Sequence, residues 1–155
     1  MIYELKGNLL EADNVDIICH QVNCQGKMNS GIAKAIREKY PEVYKDYMMW
    51  YVTTPDTDML GVIQYVEIDN GNRAVINMAS QLNYGYDGKR YTNYEAFWQC
   101  LMKIRADVPS HFRLGFPKGI GCARGGANWN VIRTMIEEAL GDEFDVYIYE
   151  LGEEK

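Results

Sequence analysis

Two polar, glycine-bearing loops and one tyrosine-rich segment hold most of the side chains in this sequence that can do chemistry. The first loop reads His-Gln-Val-Asn-Cys-Gln-Gly-Lys-Met-Asn-Ser-Gly-Ile-Ala over positions 20–33. Its amides, Gln21, Asn23, Gln25 and Asn29, both donate and accept hydrogen bonds, which suits sugar hydroxyls; equally, caps and turns favour Asn, Ser and Gly for reasons of backbone geometry alone. His20 reads either as a satisfied buried histidine or as a general acid or base, since imidazole titrates near neutrality. The second loop reads Pro-Lys-Gly-Ile-Gly-Cys-Ala-Arg-Gly-Gly-Ala-Asn-Trp-Asn over 117–130, and four of the eight residues from 119 to 126 are glycine. Glycines between a strand and a helix let backbone N–H groups and a helix N-terminus face an anion, so this loop is expected to cradle phosphate. It lacks the Gly-Lys-Ser/Thr ending of a P-loop. It also lacks the acidic residue that follows a dinucleotide-binding Gly-x-Gly-x-x-Gly. Arg124 supplies a charge in this loop, as a ligand contact or as a solvated side chain.

The segment over 80–94, Ser-Gln-Leu-Asn-Tyr-Gly-Tyr-Asp-Gly-Lys-Arg-Tyr-Thr-Asn-Tyr, is dense in tyrosine, glycine and charge. Such loops often line a ligand mouth, with rings that stack on flat groups. Tyr94 belongs to the helical stripe that follows, with Thr92 or Asn93 as its cap.

Other chemistries find no support. The four cysteines, Cys19, Cys24, Cys100 and Cys122, include no Cys-x-x-Cys pair, and there are two histidines, so no zinc site or other metal centre is expected. No cofactor is called for. The chain has 155 residues, 47% hydrophobic and 25% charged, with a net charge of −6. That suits one globular domain and argues against a partner that must be gripped along a polyanionic backbone. No apolar run reaches the roughly 18–20 residues of a membrane span, and the first residues do not read as a secretion signal, so a cytoplasmic protein is expected.

The hydrophobic pattern supplies the elements that must position these loops. Residues 2–5 read as a strand, and 15–23 as a strand with the nearly continuous apolar character of a buried parallel strand. Ile32, Ala35, Ile36 and Lys39 follow at helical spacing, Pro41 interrupts or restarts that helix, and Val43, Tyr47 and Trp50 continue it. Residues 61–68 and 73–78 read as strands joined by a turn at 69–72. Tyr94, Phe97, Trp98, Leu101 and Met102 form an amphipathic helix, with Asn29 or Ser30 expected to cap the earlier one. A strand over 112–116, a helix carrying Ile132, Met135, Ile136, Ala139 and Leu140, and a strand over 145–151 complete the order. Strands separated by helices predict an α/β fold: three layers around a mixed, mainly parallel central sheet, with the ligand beyond the carboxyl ends of the strands.

Three stretches together resemble the macro domain family, whose members bind ADP-ribose: Gly-Asn-Leu-Leu at 7–10, the whole run at 20–33, and Gly-Ile-Gly-Cys at 119–122. The resemblance spans about residues 3–151, and a single macro domain over 1–151 with a short tail at 152–155 is expected. It is nearest to the branch of ADP-ribose 1″-phosphate phosphatases and ADP-ribosyl ester hydrolases.

The resemblance implies a ligand, ADP-ribose or an ADP-ribosylated substrate, and a set of contacts. Asn8 stands where macro domains usually carry an Asp that contacts adenine, with the Leu9 backbone beside it. Asn23 matches the residue at the distal ribose. Gly31 and Ile32 match the helix start under the pyrophosphate. Gly119, Ile120, Gly121, Cys122 and Ala123 match the phosphate-wrapping loop, and Leu151 matches a side chain packed on adenine. His20 matches the histidine of phosphatase-like members and is the catalytic candidate. The branch that works through a lysine adduct carries a lysine and a loop carboxylate; here those regions read Asn-Met-Ala-Ser-Gln at 77–81 and Cys-Ala-Arg-Gly-Gly at 122–126. Hydrolysis of ADP-ribose 1″-phosphate or an ADP-ribosyl ester is therefore set against a non-catalytic reader of ADP-ribose.

Overall fold

The structure, a computed structural model, describes residues 1–151; the tail expected at 152–155 lies outside the described residues. Six strands form one sheet: β1 (Ile2–Lys6), β2 (Ile17–Asn23), β3 (Ile63–Ile68), β4 (Arg73–Gln81), β5 (Leu114–Pro117) and β6 (Val146–Glu150). Their spatial order is β1-β6-β5-β2-β4-β3. Every neighbouring pair is parallel except β3 with β4. The helices are α1 (Gly31–Lys39), α2 (Pro41–Thr53), the single-turn α3 (Asp56–Met59), α4 (Tyr94–Asp107) and α5 (Trp129–Leu140).

Strand alternation divides the core into two layers. Ile17, Cys19, Ile76 and Met78 face α4 and α5, where Phe97, Leu101, Ile132 and Ile136 complete a fully buried cluster. Ile18, Val22, Val75 and Ala79 face the other way, onto Ile36, Val43 and Tyr47 of α1 and α2. Helices thus cover both faces, as the mixed α/β pattern predicts. Pro41 does restart the helix: it is the first residue of α2, where its missing N–H costs nothing.

Several boundaries differ from the pattern for identifiable reasons. β2 starts at Ile17 because Asp16 turns aside to receive the Arg113 N–H at 2.7 Å and its guanidinium at 3.0 Å. β4 runs three residues past Met78, because Gln81 still pairs with Asn23. The hairpin turn uses consecutive left-handed residues, Asp69, Asn70 and Gly71, with φ of 52°, 57° and 85°.

The topology itself makes a crevice. The chain leaves β2 through α1 on one face and leaves β5 through α5 on the other. These neighbouring strands pair only at Ile17 with Leu114 and Ile18 with Gly115, then separate toward their carboxyl ends. A gap between adjacent strands whose connections depart in opposite directions is where ligands bind in open α/β sheets.

Candidate functional site

A cleft of about 510 Å³ opens at that switch point. One wall comes from the loop after β2 and the start of α1: Asn23, Lys27, Asn29, Ser30, Gly31, Ile32 and Ala33. The opposite wall is the glycine loop after β5, from Pro117 to Gly121 and from Ala123 to Gly125. Gln81, Tyr84, Gly85 and Tyr86 close the end beyond β4.

The glycine wall is built from backbone donors. Ile120 N–H is used by Pro117 C=O, and Cys122 N–H by Gly119 C=O. The N–H groups of Gly119, Gly121, Ala123, Arg124 and Gly125 have no hydrogen-bond partner among the described residues. Gly119 and Gly121 have φ of +78° and +75°, so only glycine supports this alternation without strain. Opposite, α1 starts with uncapped donors. Ser30 holds the cap position but makes no side-chain cap bond, and Asn29 Oδ1 instead accepts from Arg37 at 3.1 Å. Neither expected cap forms, and the first-turn N–H groups remain available to a ligand.

The lining is cationic. Lys27, Lys118 and Arg124 line the cleft, and no Asp, Glu, His or Cys does. Three positive charges therefore sit in one cleft of a chain whose net charge is −6. Lys118 is paired with Glu150 at 3.3 Å, whereas Lys27 and Arg124 have no carboxylate partner among the described residues. The Arg124 guanidinium lies 3.9 Å from the centre of the Tyr86 ring.

A buried polar network fixes the far wall. Pairing between β2 and β4 jumps from Val22 with Ala79 to Asn23 with Gln81, which leaves Ser80 as an extra, bulged residue. Ser80 Oγ donates to Gln21 Oε1 at 2.7 Å, Gln21 Nε2 donates to Thr92 Oγ1 at 2.9 Å, and Thr92 Oγ1 donates to Gly121 C=O at 2.8 Å. The N–H groups of Tyr91 and Thr92 both reach Gly125 C=O. The tyrosine segment and the glycine loop are thereby stitched into one unit. As expected for the start of α4, Asn93 caps it, accepting Ala96 N–H at 2.9 Å.

Asn23 lines the cleft, but its side chain mainly organises its own loop. Its Oδ1 accepts from Gln25 N at 2.9 Å and from the Tyr47 hydroxyl at 2.9 Å, and its Nδ2 donates to Lys27 C=O at 2.9 Å. One amide proton is left for a ligand. Gly31, Ile32, Gly119, Ile120, Gly121 and Ala123 also line the cleft.

Leu151, Asn8, Leu9 and Cys122 lie outside the lining. Leu151 follows β6 and is 65% exposed. Asn8 uses its Oδ1 to cap the turn that follows it, accepting Leu10 N–H at 3.0 Å. The Leu9 side chain is buried in the core, although its N–H is unpaired among the described residues. Cys122 commits its N–H to the loop, and burial pushes its thiol above the usual range.

His20 does not line the cleft. It is fully buried and faces the α1/α2 layer, in register with Asn77. The protonation state follows from a chain of amides. Gln64 Nε2 donates to Asp46 C=O at 2.9 Å, so Gln64 Oε1 accepts from Asn77 Nδ2 at 3.0 Å. Asn77 Oδ1 must then accept from His20 Nε2. Nδ1 is left as a bare lone pair with no partner among the described residues. Burial lowers the pKa of the ring to about 4, with the Asn77 bond opposing that shift. The ring is therefore neutral and buried, and it does not line the cleft.

From the tyrosine-rich segment over 80–94, Tyr84 and Tyr86 line the cleft. Sequence reasoning missed Lys27 and Lys118 as lining cations, and Tyr47 and Thr92 as the hydroxyls that fix the two walls. A lysine next to a glycine in each loop was the available signal for the cations. The hydroxyls carried no local signal.

Comparison with known proteins agrees with this fold. No protein-family model matches the chain. Among solved structures, a Bacteroides thetaiotaomicron protein superposes with a TM-score of 0.85 at 27% identity, covering 97% of this chain and 98% of that one. The macrodomain of Thermus aquaticus DarG superposes at 0.77 with 22% identity, covering 97% and 98%. A Trypanosoma brucei macrodomain in complex with ADP-ribose superposes at 0.69 with 14% identity, covering 97% and 63%. This chain has the macrodomain fold. An ADP-ribose 1″-phosphate phosphatase of Ajellomyces capsulatus is 35% identical over 60 residues, which are 37% of this chain and 24% of that protein. The chain thus matches about a quarter of the length of such curated relatives.

Proposed function

We propose that this chain binds ADP-ribose in the cleft between β2 and β5, with the diphosphate held between the glycine loop and the N-terminus of α1. The observation that carries this reading is the double row of unpaired backbone N–H groups, five of them on the loop of residues 119–125, in a cleft with three cations and no carboxylate. Fixed N–H dipoles and a helix N-terminus stabilise a diphosphate whatever the net charge of the chain. In this reading Asn23 gives its remaining amide proton to the distal ribose. Asn8, the Leu9 N–H and Leu151 lie at the β1/β6 side, where adenine would project past the cleft.

Hydrolysis of ADP-ribose 1″-phosphate is a second reading, supported by the activity named for the curated relatives. The lining offers no imidazole or carboxylate for proton transfer, so His20 serves this reading only as part of the floor. Calorimetry with ADP-ribose tests the first reading, and phosphate release from ADP-ribose 1″-phosphate on the same sample tests the second. Micromolar binding is expected. Failure to bind ADP-ribose while ADP binds normally would remove the distal ribose from the assignment.

A further inference from the structure

We infer that the open edge of β1 pairs antiparallel with β1 of a second copy of this chain, about a twofold axis at Leu5. The two six-stranded sheets then continue into each other. The surface is separate from the cleft, and the inference does not depend on the ligand assigned there.

β1 ends the sheet, with β6 on one side and no strand on the other. Gly7 N–H donates to Glu150 C=O and Met1 C=O accepts Val146 N–H, both at 2.9 Å. The N–H and C=O of one residue point to the same edge of a strand, and successive residues alternate. Met1, Tyr3, Leu5 and Gly7 therefore face β6, and Ile2, Glu4 and Lys6 present their backbone groups to the open edge. The register with β6 runs unbroken over all of β1. No proline or bulge, the devices that commonly spoil an edge for pairing, interrupts it.

Side chains choose the partner and the register. Ile2 packs against the α4/α5 layer, and Glu4 Oε1 on the same face lies 3.6 Å from Arg133 Nε. Lys6 shares that face and makes no ion pair among the described residues; its register neighbour Glu150 is taken by Lys118 at 3.3 Å. On the other face Tyr3 stacks on Tyr147 with ring centres 5.0 Å apart, and Leu5 is exposed. A twofold axis normal to the sheet keeps like faces together. Centred on Glu4 or on Lys6, an antiparallel pair opposes two like charges, which is unfavourable. Centred on Tyr3, it pairs no charges. Centred on Leu5, it sets Glu4 against the partner's Lys6 twice, joins the two Leu5 side chains, and aligns the outward backbone groups of Glu4 and Lys6 for hydrogen bonding. One acid and one base, spaced by a single residue on an open edge, make that edge complementary to itself. Because the strands run in opposite directions, the two clefts open at opposite ends of the joined sheet and stay accessible.

Sedimentation velocity on the whole chain at low ionic strength tests the pairing. So short an edge contact falls below the roughly 1,200 Å² of standard interfaces, and a dissociation constant on the order of 100 μM is expected. Glu4→Lys and Lys6→Glu, each alone, place like charges opposite each other and should weaken self-association by about tenfold or more. Mixed in equal amounts, the two variants again oppose unlike charges at both pairs, and association should return to within about threefold of the unaltered protein. Leu5→Arg, which sets two cations on the axis without touching the Glu4–Arg133 contact, should abolish it. In the unaltered protein, amide protection at Glu4 and Lys6 should rise with concentration, while that at Tyr3 and Leu5, already bonded to β6, stays constant. A chain that remains monomeric at about 1 mM, or a mixture of the two charge variants that associates no better than either alone, overturns the pairing.

Discussion

Thr92 donates its hydroxyl proton to the carbonyl of Gly121 at 2.8 Å, across 29 positions of sequence. Because Gln21 Nε2 donates to the same hydroxyl at 2.9 Å, this one oxygen holds the glycine loop against β2. Thr92 is 2% exposed, so water has no ready access to its hydroxyl. Thr92→Val keeps the shape, leaves a Gln21 amide proton unpaired and leaves Gly121 C=O with the Ala127 N–H alone, at 2.9 Å. The expected cost is about 1–3 kcal/mol of stability by urea denaturation. ADP-ribose affinity should fall by about tenfold, because the donors of the loop lose their fixed direction. Thr92→Ser, which keeps the hydroxyl, should recover most of the binding; no recovery would mean that packing rather than the hydrogen bond positions the loop.

Tyr47 does for the other wall what Thr92 does for the glycine loop. Its hydroxyl proton is shared between Asn23 C=O at 2.6 Å and Asn23 Oδ1 at 2.9 Å, and the oxygen accepts Gly26 N–H at 3.1 Å. Burial also raises its pKa well above the usual tyrosine range. Tyr47→Phe should cost about 1–3 kcal/mol. Amide exchange should quicken at Gln25, Gly26 and Lys27 before it quickens elsewhere. Uniform quickening throughout the chain would instead mark a general loss of stability.

The buried ring of His20 predicts a specific pH dependence. Its pKa is lowered to about 4 in the folded chain, against about 6.5 for an unfolded histidine. Above pH 6.5 both states hold the neutral ring, and this contribution to stability is fully present. As pH falls from about 6.5 to about 4 the unfolded state gains a proton that the folded state refuses, so stability declines. The decline should amount to something on the order of 3 kcal/mol. Asp16, held below its usual range by Arg113, titrates at lower pH and adds its loss later. His20→Gln should flatten the dependence between pH 4 and 6.5 in urea midpoints. An unchanged slope would locate the titration in another group. Any phosphate release by this protein should show no pKa that disappears in the same variant.

What was legible in the sequence was largely what a single segment determines. The apolar run ending at Asn23 marked the central strand, and the two glycine loops marked the cleft walls, because strand burial and loop flexibility are local properties. The fate of individual polar groups was not. His20 has the same side chain whether it faces a cleft or the α1/α2 layer, and the choice depends on strand register with Asn77. Asn23 resembles a ribose contact in sequence, yet most of its hydrogen-bonding capacity goes to Tyr47, Gln25 and Lys27. The bulge at Ser80 and the divergence of β2 from β5 exist only between strands, so no run of residues announces them. Asn29 and Ser30 are good caps by type. They were expected to satisfy α1, and the open helix end they leave is what suits it to an anion.

Gly126 and Gly88 allow strain and contact to be separated in the joined loops. Both have a left-handed backbone, with φ of +70° and +78°. A methyl group at Gly88 would meet nothing, whereas at Gly126 it would lie 2.8 Å from Lys89 C=O and 2.9 Å from Arg90 Cα. Gly88→Ala should therefore cost only the left-handed penalty, roughly 1–2 kcal/mol, and leave ADP-ribose affinity nearly unaltered. Gly126→Ala adds a clash with backbone that cannot swing aside, for a total of about 2–4 kcal/mol. Relief of that clash pushes residues 89–90 away from the glycine loop and strains the bonds from Tyr91 and Thr92 to Gly125 C=O. Affinity should drop with stability in this variant alone. Equal denaturation midpoints and equal affinities for the two alanine variants would show that the loops do not depend on their close approach at Gly126.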